Sequence, residues 1–172
     1  MSTADMTTSV ISSDRPRFEL HPDDRAAIEH DITHYADSRA ASIDALKVVQ
    51  KRHGWVPDGA IYAIGEVLKI PASDVEGVAT FYNLIFRQPV GRHVITICDS
   101  IGCFLTGYEE TLAAIKQRLG IELGETTPDN RFTLLPICCL GACDKGPVLM
   151  IDDDTHGNVG IADVDKLLEQ YA

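Results

Sequence analysis

The sequence predicts an α+β protein, with a helical bundle over residues 18–90 and a small α/β domain over residues 91–172. Three observations predict it. Apolar residues recur at helical spacing in four successive segments before residue 90. After Arg87-Gln88-Pro89-Val90-Gly91 the period shortens, and apolar runs of strand length alternate with helical stripes. The 172 residues, 45% apolar and 24% charged, hold enough material for one medium or two small cores.

Residues 1–17 are rich in Ser, Thr and Asp and nearly free of large apolar groups, so a disordered tail is expected there. They show no cation before Arg15 and no continuous apolar core, unlike a secretory signal, and Asp5 and Asp14 speak against a transit peptide. His21-Pro22-Asp23-Asp24 then places proline at a first helical position with acids in the first turn. Ile28, Ile32 and Tyr35 follow at i, i+4 and i+7. A second helix is expected over residues 40–53, with Ile43, Leu46 and Val49 on one stripe and Gly54 as its stop. A third begins near Pro57-Asp58 and turns Ile61, Ile64 and Leu68 one way. The fourth opens with Ser73-Asp74-Val75-Glu76, read as a capping box in which Ser73 and Glu76 satisfy reciprocal backbone donors. Four helices on short connections make a small bundle.

In the second half, residues 92–98 read as a strand that is at least half buried. Thr106 to Glu109 reads as another capping box, opening a helix that carries Tyr108, Leu112, Ile115 and Leu119 and stops at Gly120. Residues 131–137 and 148–152 are expected strands, followed by a turn over 153–158, a short strand at 159–161 and a closing helix over 163–171. The order β-α-β-β-α suits a small open sheet with helices, such as a thioredoxin-like domain.

Fifteen basic against 26 acidic side chains leave a net charge of −11, which argues against nucleic acid or an anionic membrane surface as the main partner. No apolar run approaches the roughly 20 residues of a membrane-spanning helix. All five cysteines lie in the second half. Cys98 and Cys103 form C-x4-C, while Cys138-Cys139-Leu140-Gly141-Ala142-Cys143 offers C-x3-C from Cys139 or C-x4-C from Cys138. Each group falls where an expected strand runs into a loop. In an open sheet whose strands run the same way, the two loops lie side by side, and four thiolates can converge on one centre.

Structural zinc usually takes shorter spacers, so the zinc reading fits poorly. A thioredoxin-type dithiol needs C-x-x-C, which is absent. Iron–sulfur clusters take four thiolates, and a four-residue spacer occurs in plant-type ferredoxins, although their second C-x2-C is missing here. A 2Fe–2S cluster with four thiolates is formally −2, and −3 when reduced, so it needs backbone N–H groups near its sulfurs. Gly102 and Gly141 would allow that approach. Lys145 could offset the charge, though a solvated lysine is favoured. Asp152, Asp154, His156, Gly157 and Asp163 loosely echo a calcium loop, but a polar hairpin turn fits better. Trp55, Phe81 and Tyr82 read as core or interface packing, with Phe81-Tyr82 facing a partner. His30 and His34 read as solvated surface.

Several segments match a known family: His53-Gly54-Trp55-Val56-Pro57, residues 74–82, Cys98 to Cys103, and Cys139-Leu140-Gly141-Ala142-Cys143 with Gly146-Pro147. From about Phe18 onward the chain resembles the thioredoxin-like 2Fe–2S family of E subunits of bacterial respiratory complex I (NADH:quinone oxidoreductase). The resemblance implies a helical bundle followed by a thioredoxin-like domain carrying one 2Fe–2S cluster. It implies Cys98, Cys103, Cys139 and Cys143 as the ligands, with Cys138 a bystander. It implies an electron-transfer subunit without turnover of its own, in a translocase complex peripheral to the cytoplasmic side of the inner membrane. NADH and FMN are then bound by a partner subunit, near the large iron–sulfur subunit. The absence of G-x-G-x-x-G, Walker and nucleophile-elbow motifs accords with this. The equivalent diaphorase subunit of an NAD-linked formate dehydrogenase or NAD-reducing hydrogenase is the alternative in the same chemistry. A zinc-stabilised interaction module is the alternative of another class.

Overall fold

The first helix, α1 (Pro22–Ile32), begins where Pro22 fixes its own φ, and the His21 imidazole caps it by accepting the Asp23 N–H at 3.2 Å. The structure is a computed structural model that describes residues 17–171. The tail expected over residues 1–17 therefore lies, Arg17 apart, outside the described residues. Because α1 stops at Ile32, Tyr35 does not continue its apolar stripe. Tyr35 is exposed, and its hydroxyl donates to Asp44 Oδ2 at 2.6 Å.

A 3-10 turn, Ser38–Ala41, leads into α2 (Ser42–His53), which ends on Gly54 at φ 78°. That left-handed conformation is where glycine carries no Cβ penalty. Helices α3 (Asp58–Leu68) and α4 (Ala72–Phe81) complete the bundle. The capping box expected at Ser73 does not form. Pro71 occupies the N-cap, so Ser73 already lies within the first turn. The Glu76 carboxylate is engaged by Arg87 at 2.9 Å instead, and the same guanidinium reaches Asp58 at 2.7 Å and the Val56 carbonyl. A tertiary ion pair has taken the side chain that a local cap would have used.

Ile28, Leu46, Val49, Ile64, Leu68 and Val75 are fully buried between these helices. Each such side chain contributes about 1.5–3 kcal/mol of hydrophobic stabilisation. Asp24 is buried at their margin, where the Arg52 guanidinium at 2.6 Å holds its carboxyl below the usual range.

Beyond residue 90, β1 (His93–Cys98) is an inner strand. It pairs in parallel with β2 (Phe132–Ile137) and antiparallel with β3 (Leu149–Ile151), which is joined to β4 (Asp154–His156). The strand order is β2-β1-β3-β4. Between β1 and β2 come the short α5 (Ile101–Leu105) and the longer α6 (Tyr108–Leu119), which stops at Gly120. After a 3-10 turn at Ile161–Asp163, α7 (Val164–Glu169) closes the chain. Ile95, Leu134, Leu149 and Ile151 from the sheet pack with Ile115 of α6 and Leu168 of α7.

Two further local expectations are corrected. The second capping box does not form: Gly107, at φ 110°, is the N-cap of α6. The Thr106 hydroxyl instead donates back to the carbonyls of Gly102 at 3.0 Å and Cys103 at 3.1 Å, which closes α5. The short strand expected at 159–161 is also absent. The fourth strand lies earlier, at Asp154–His156, because Asp152 takes φ 54° and turns the chain after two residues. Val159 is nevertheless buried, its N–H donating to the Pro147 carbonyl at 3.1 Å. Asp152 itself holds His93 Nδ1 at 2.6 Å and accepts the Val94 N–H at 2.9 Å, as a polar hairpin residue. His30 and His34 are exposed on α1 and its C-terminal turn, with rings edge to face.

Candidate functional site

Cys98 is the last residue of β1, and its register partner on β2 is Ile137. Because β1 and β2 run in parallel, their C-terminal ends open side by side, and both cysteine loops leave the sheet at that edge. Main-chain bonds hold the exit. Cys98 N–H donates to the Val148 carbonyl at 3.1 Å, and Asp99 N–H to the Ile137 carbonyl at 3.0 Å.

The first loop folds at once into α5, which turns Cys103 inward. Cys98 and Cys103 are 2% and 1% exposed, packed with Ile137 and Val148. The second loop carries Cys139 and Cys143, the latter opening a 3-10 turn, Cys143–Lys145. Both of its thiols are exposed, and their sulfurs lie 3.7 Å apart. The Cys139 sulfur accepts the Gly141 N–H at 3.4 Å, and Gly141 itself takes φ 80°, a conformation glycine adopts without penalty.

The four thiols act on one another electrostatically: Cys98 on Cys103, Cys139 and Cys143, and Cys143 on Cys103, while Cys139 and Cys143 are hydrogen-bonded. Burial, then the Cys98 thiol, pushes the Cys103 thiol up. The Gly141 N–H, then Cys143, pulls the Cys139 thiol down. Cys143 is pushed up, first by its bond with Cys139. Cys138 enters the site only through its backbone carbonyl, which accepts from the Cys98 thiol at 3.7 Å, while its own thiol is exposed. The structure thus brings together the four cysteines implied by the resemblance. Lys145 is exposed beside them.

The donor set fits a binuclear iron–sulfur centre, which divides its four thiolates between two irons. Two thiolates on one tetrahedral metal, each about 2.3 Å from it, stand about 3.8 Å apart. The Cys139–Cys143 pair has that spacing at 3.7 Å.

Local sequence pattern carries no sign of what clamps the loops together. A Cβ on Gly146 would overlap the Thr106 hydroxyl and touch Cys103 Cα at 3.5 Å, so the second loop lies directly on the first. A Cβ on Gly102 would meet Cys143 Cβ at 3.7 Å. Behind the second loop, Asn158 N–H donates to the Lys145 carbonyl at 2.6 Å, and a Cβ on Gly157 would stand 2.6 Å from Lys145 Cβ. Thr106 is readable only as a helix cap, since its contact with Gly146 joins residues 40 positions apart.

Comparison with known proteins accords with this geometry. Residues 28–172 match the family model of the thioredoxin-like [2Fe-2S] ferredoxins. The E subunit of NADH-quinone oxidoreductase from Pseudomonas aeruginosa is 64% identical over 164 residues, covering 95% of this chain and 98% of that one. The protein of the same name from Escherichia coli K12 is 63% identical over 154 residues, covering 90% and 93%. A NAD+-reducing [NiFe]-hydrogenase in its air-oxidized state shares the fold, with a TM-score of 0.63 at 21% identity. That likeness covers 73% of this chain and 22% of the hydrogenase chain. The chain belongs to the thioredoxin-like [2Fe-2S] ferredoxin family.

Proposed function

We propose that this chain is the electron-transfer subunit of an NADH-quinone oxidoreductase, holding one 2Fe–2S cluster on Cys98, Cys103, Cys139 and Cys143. The observation that carries the reading is that the two loops bearing these four thiols leave the shared edge of two parallel strands and lie against each other, in a chain 64% identical to an E subunit of that complex. The cluster, when bound, supplies a one-electron centre beside a flavin that takes two electrons from NADH.

The chain's own residues serve that centre in distinct ways. Cys98 and Cys103 present sulfur from the buried side, where Ile137 and Val148 exclude water. Gly141 N–H donates toward the Cys139 sulfur and stabilises negative charge there. Gly146 and Gly157 let the second loop approach its supports. The two separate sets of buried side chains, residues 20–85 and 95–168, support the division into a bundle at 18–90 and a cluster domain at 91–172. FMN and NADH belong to a partner subunit, with the large iron–sulfur subunit nearby. A peripheral place on the cytoplasmic side of the inner membrane goes with that assembly; no helix among the described residues is long and apolar enough to cross a membrane.

An absorption spectrum of aerobically purified protein tests the chemistry: a reddish-brown protein is expected, and a colourless zinc protein refutes the assignment. Co-purification with an FMN-binding subunit and quinone reductase activity tests the complex. Co-purification with a hydrogenase or formate dehydrogenase would move the chain to the alternative assembly.

A further inference from the structure

We propose that Cys139 and Cys143 form a reversible disulfide in the metal-free chain, which makes the exposed loop a redox gate on cluster loading. Their sulfurs lie 3.7 Å apart, and both thiols are exposed. A disulfide brings its sulfurs to about 2.05 Å, so the pair must close by roughly 1.7 Å. The segment between them can yield that much. It runs from the end of β2 at Ile137 to the 3-10 turn at Cys143, outside any strand ladder, and a Cβ on Gly141 would meet no atom within 4 Å. The other thiols are poorer partners. Cys98 and Cys103 are 2% and 1% exposed beside Ile137 and Val148, so a reagent in solution reaches them only when the domain opens. Cys138 is exposed, but a disulfide to its chain neighbour Cys139 would strain the planar peptide between them. Among the described residues, no hydrogen bond joins the Cys138 sulfur to another thiol.

The oxidant is a small disulfide of the glutathione class, acting by thiol–disulfide exchange. One loop thiol attacks it, forms a mixed disulfide and releases one small thiol. The second loop thiol then displaces the other small thiol and closes the protein bond. Two protein S–H groups and one small disulfide thus become one protein disulfide and two small thiols, and a small dithiol reverses the exchange. Thiolates are the form of cysteine that binds metal. The oxidised loop therefore offers neither of its sulfurs, and Cys98 and Cys103 alone cannot complete a four-thiolate site. The gating role rests on the reading of Cys98, Cys103, Cys139 and Cys143 as the cluster ligands.

The test uses the full chain, prepared metal-free and reduced without oxygen, then titrated with oxidised glutathione. Alkylation followed by peptide mass mapping with fragmentation reads the pairing. Absorption after addition of ferrous iron and sulfide, with no added thiol, reads cluster uptake. The expected first product has lost two hydrogens between Cys139 and Cys143, while Cys98, Cys103 and Cys138 still take the alkyl label once the chain is unfolded. Its cluster uptake should be at least tenfold below that of the reduced chain, and a small dithiol should restore it. Cys143→Ser should stop at the mixed disulfide on Cys139, whereas Cys138→Ser should close the bond as wild type does. A first disulfide that includes Cys98, Cys103 or Cys138 overturns the proposal. So does a mixed disulfide that persists on the wild-type loop, or full cluster uptake by the oxidised chain. A reduced chain that takes up no 2Fe–2S cluster overturns the ligand reading and the gate with it, an outcome distinct from the others because the mass map still shows which sulfurs pair.

Discussion

The two cysteine loops leave neighbouring strands at the same edge of the sheet yet are held by different forces. Cys98 and Cys103 are built into the core: one ends a buried strand, and the other is turned inward by α5 among Ile137 and Val148. Cys139 and Cys143 lie in the open on an irregular segment, placed by backbone donors and by glycines that permit close approach. The first pair is fixed by packing and carries a thiol pushed up by burial. The second is fixed by local hydrogen bonds and carries a thiol pulled down by an N–H. A cluster bridging them would be anchored on a rigid side and closed by a softer one. Damage to the seam between the loops should therefore lower cluster content with every ligand still in place.

The sharpest break in the comparison comes from exchanging adjacent thiols on the exposed loop. Cys139→Ser should abolish or gravely perturb the reduced EPR signal, and Cys138→Ser should leave it almost intact. Equal loss at both would remove the distinction between ligand and bystander on that loop.

Alkylation of the metal-free chain should separate the loops by orders of magnitude in rate. Cys138, Cys139 and Cys143 react quickly, and Cys98 and Cys103 only as fast as the domain opens. With the cluster bound, Cys138 alone should stay reactive. Peptide mass mapping after timed quenching reads both results, and uniform labelling of the metal-free chain would erase the distinction.

Gly146→Ala attacks the seam. Overpacking against Thr106 should cost about 1–3 kcal/mol and lower cluster content. Thr106→Ala removes the obstructing hydroxyl, so the double variant should recover much of both losses. Urea denaturation and iron content per chain measure this, and additive damage in the double variant would place the strain elsewhere. The smallest effect is expected from Gly141→Ala, about 1–2 kcal/mol for a Cβ at φ 80° with open space around it. Its melting curve should shift slightly while the Cys98–Cys103 side stays protected from alkylation.

Legibility in the sequence follows the range of the interactions. Pro22, the Gly54 and Gly120 stops, and the buried stripe of Ile61, Ile64 and Leu68 are readable because each depends on neighbours within a turn or two. Neither capping box forms, because the helices start elsewhere and the side chains find other partners. Glu76 goes to Arg87, and Thr106 to the carbonyls of α5. The fourth strand lies away from its expected place because Val159 looks like a strand residue, whereas the chain turns at Asp152 through a backbone angle that composition does not reveal. The apolar face of α5 is invisible in the sequence, because the segment after Cys98 reads as a loop and nothing local shows that it coils into a helix with Ile101, Phe104 and Leu105 outward.

The sequence by itself determined most of the helices and the first three strands, the acidic character, and five cysteines in two groups, because periodicity, charge and count are properties of the chain. Spacing alone left Cys138 and Cys139 interchangeable. Tertiary structure separated their environments, because the parallel register of β1 against β2 fixes where the second loop starts, and its path gives the Cys139 sulfur Cys143 and the Gly141 N–H as partners while bringing the carbonyl of Cys138 to the Cys98 thiol. That distinction depends on contacts between residues about 40 positions apart, and local pattern carries no record of them.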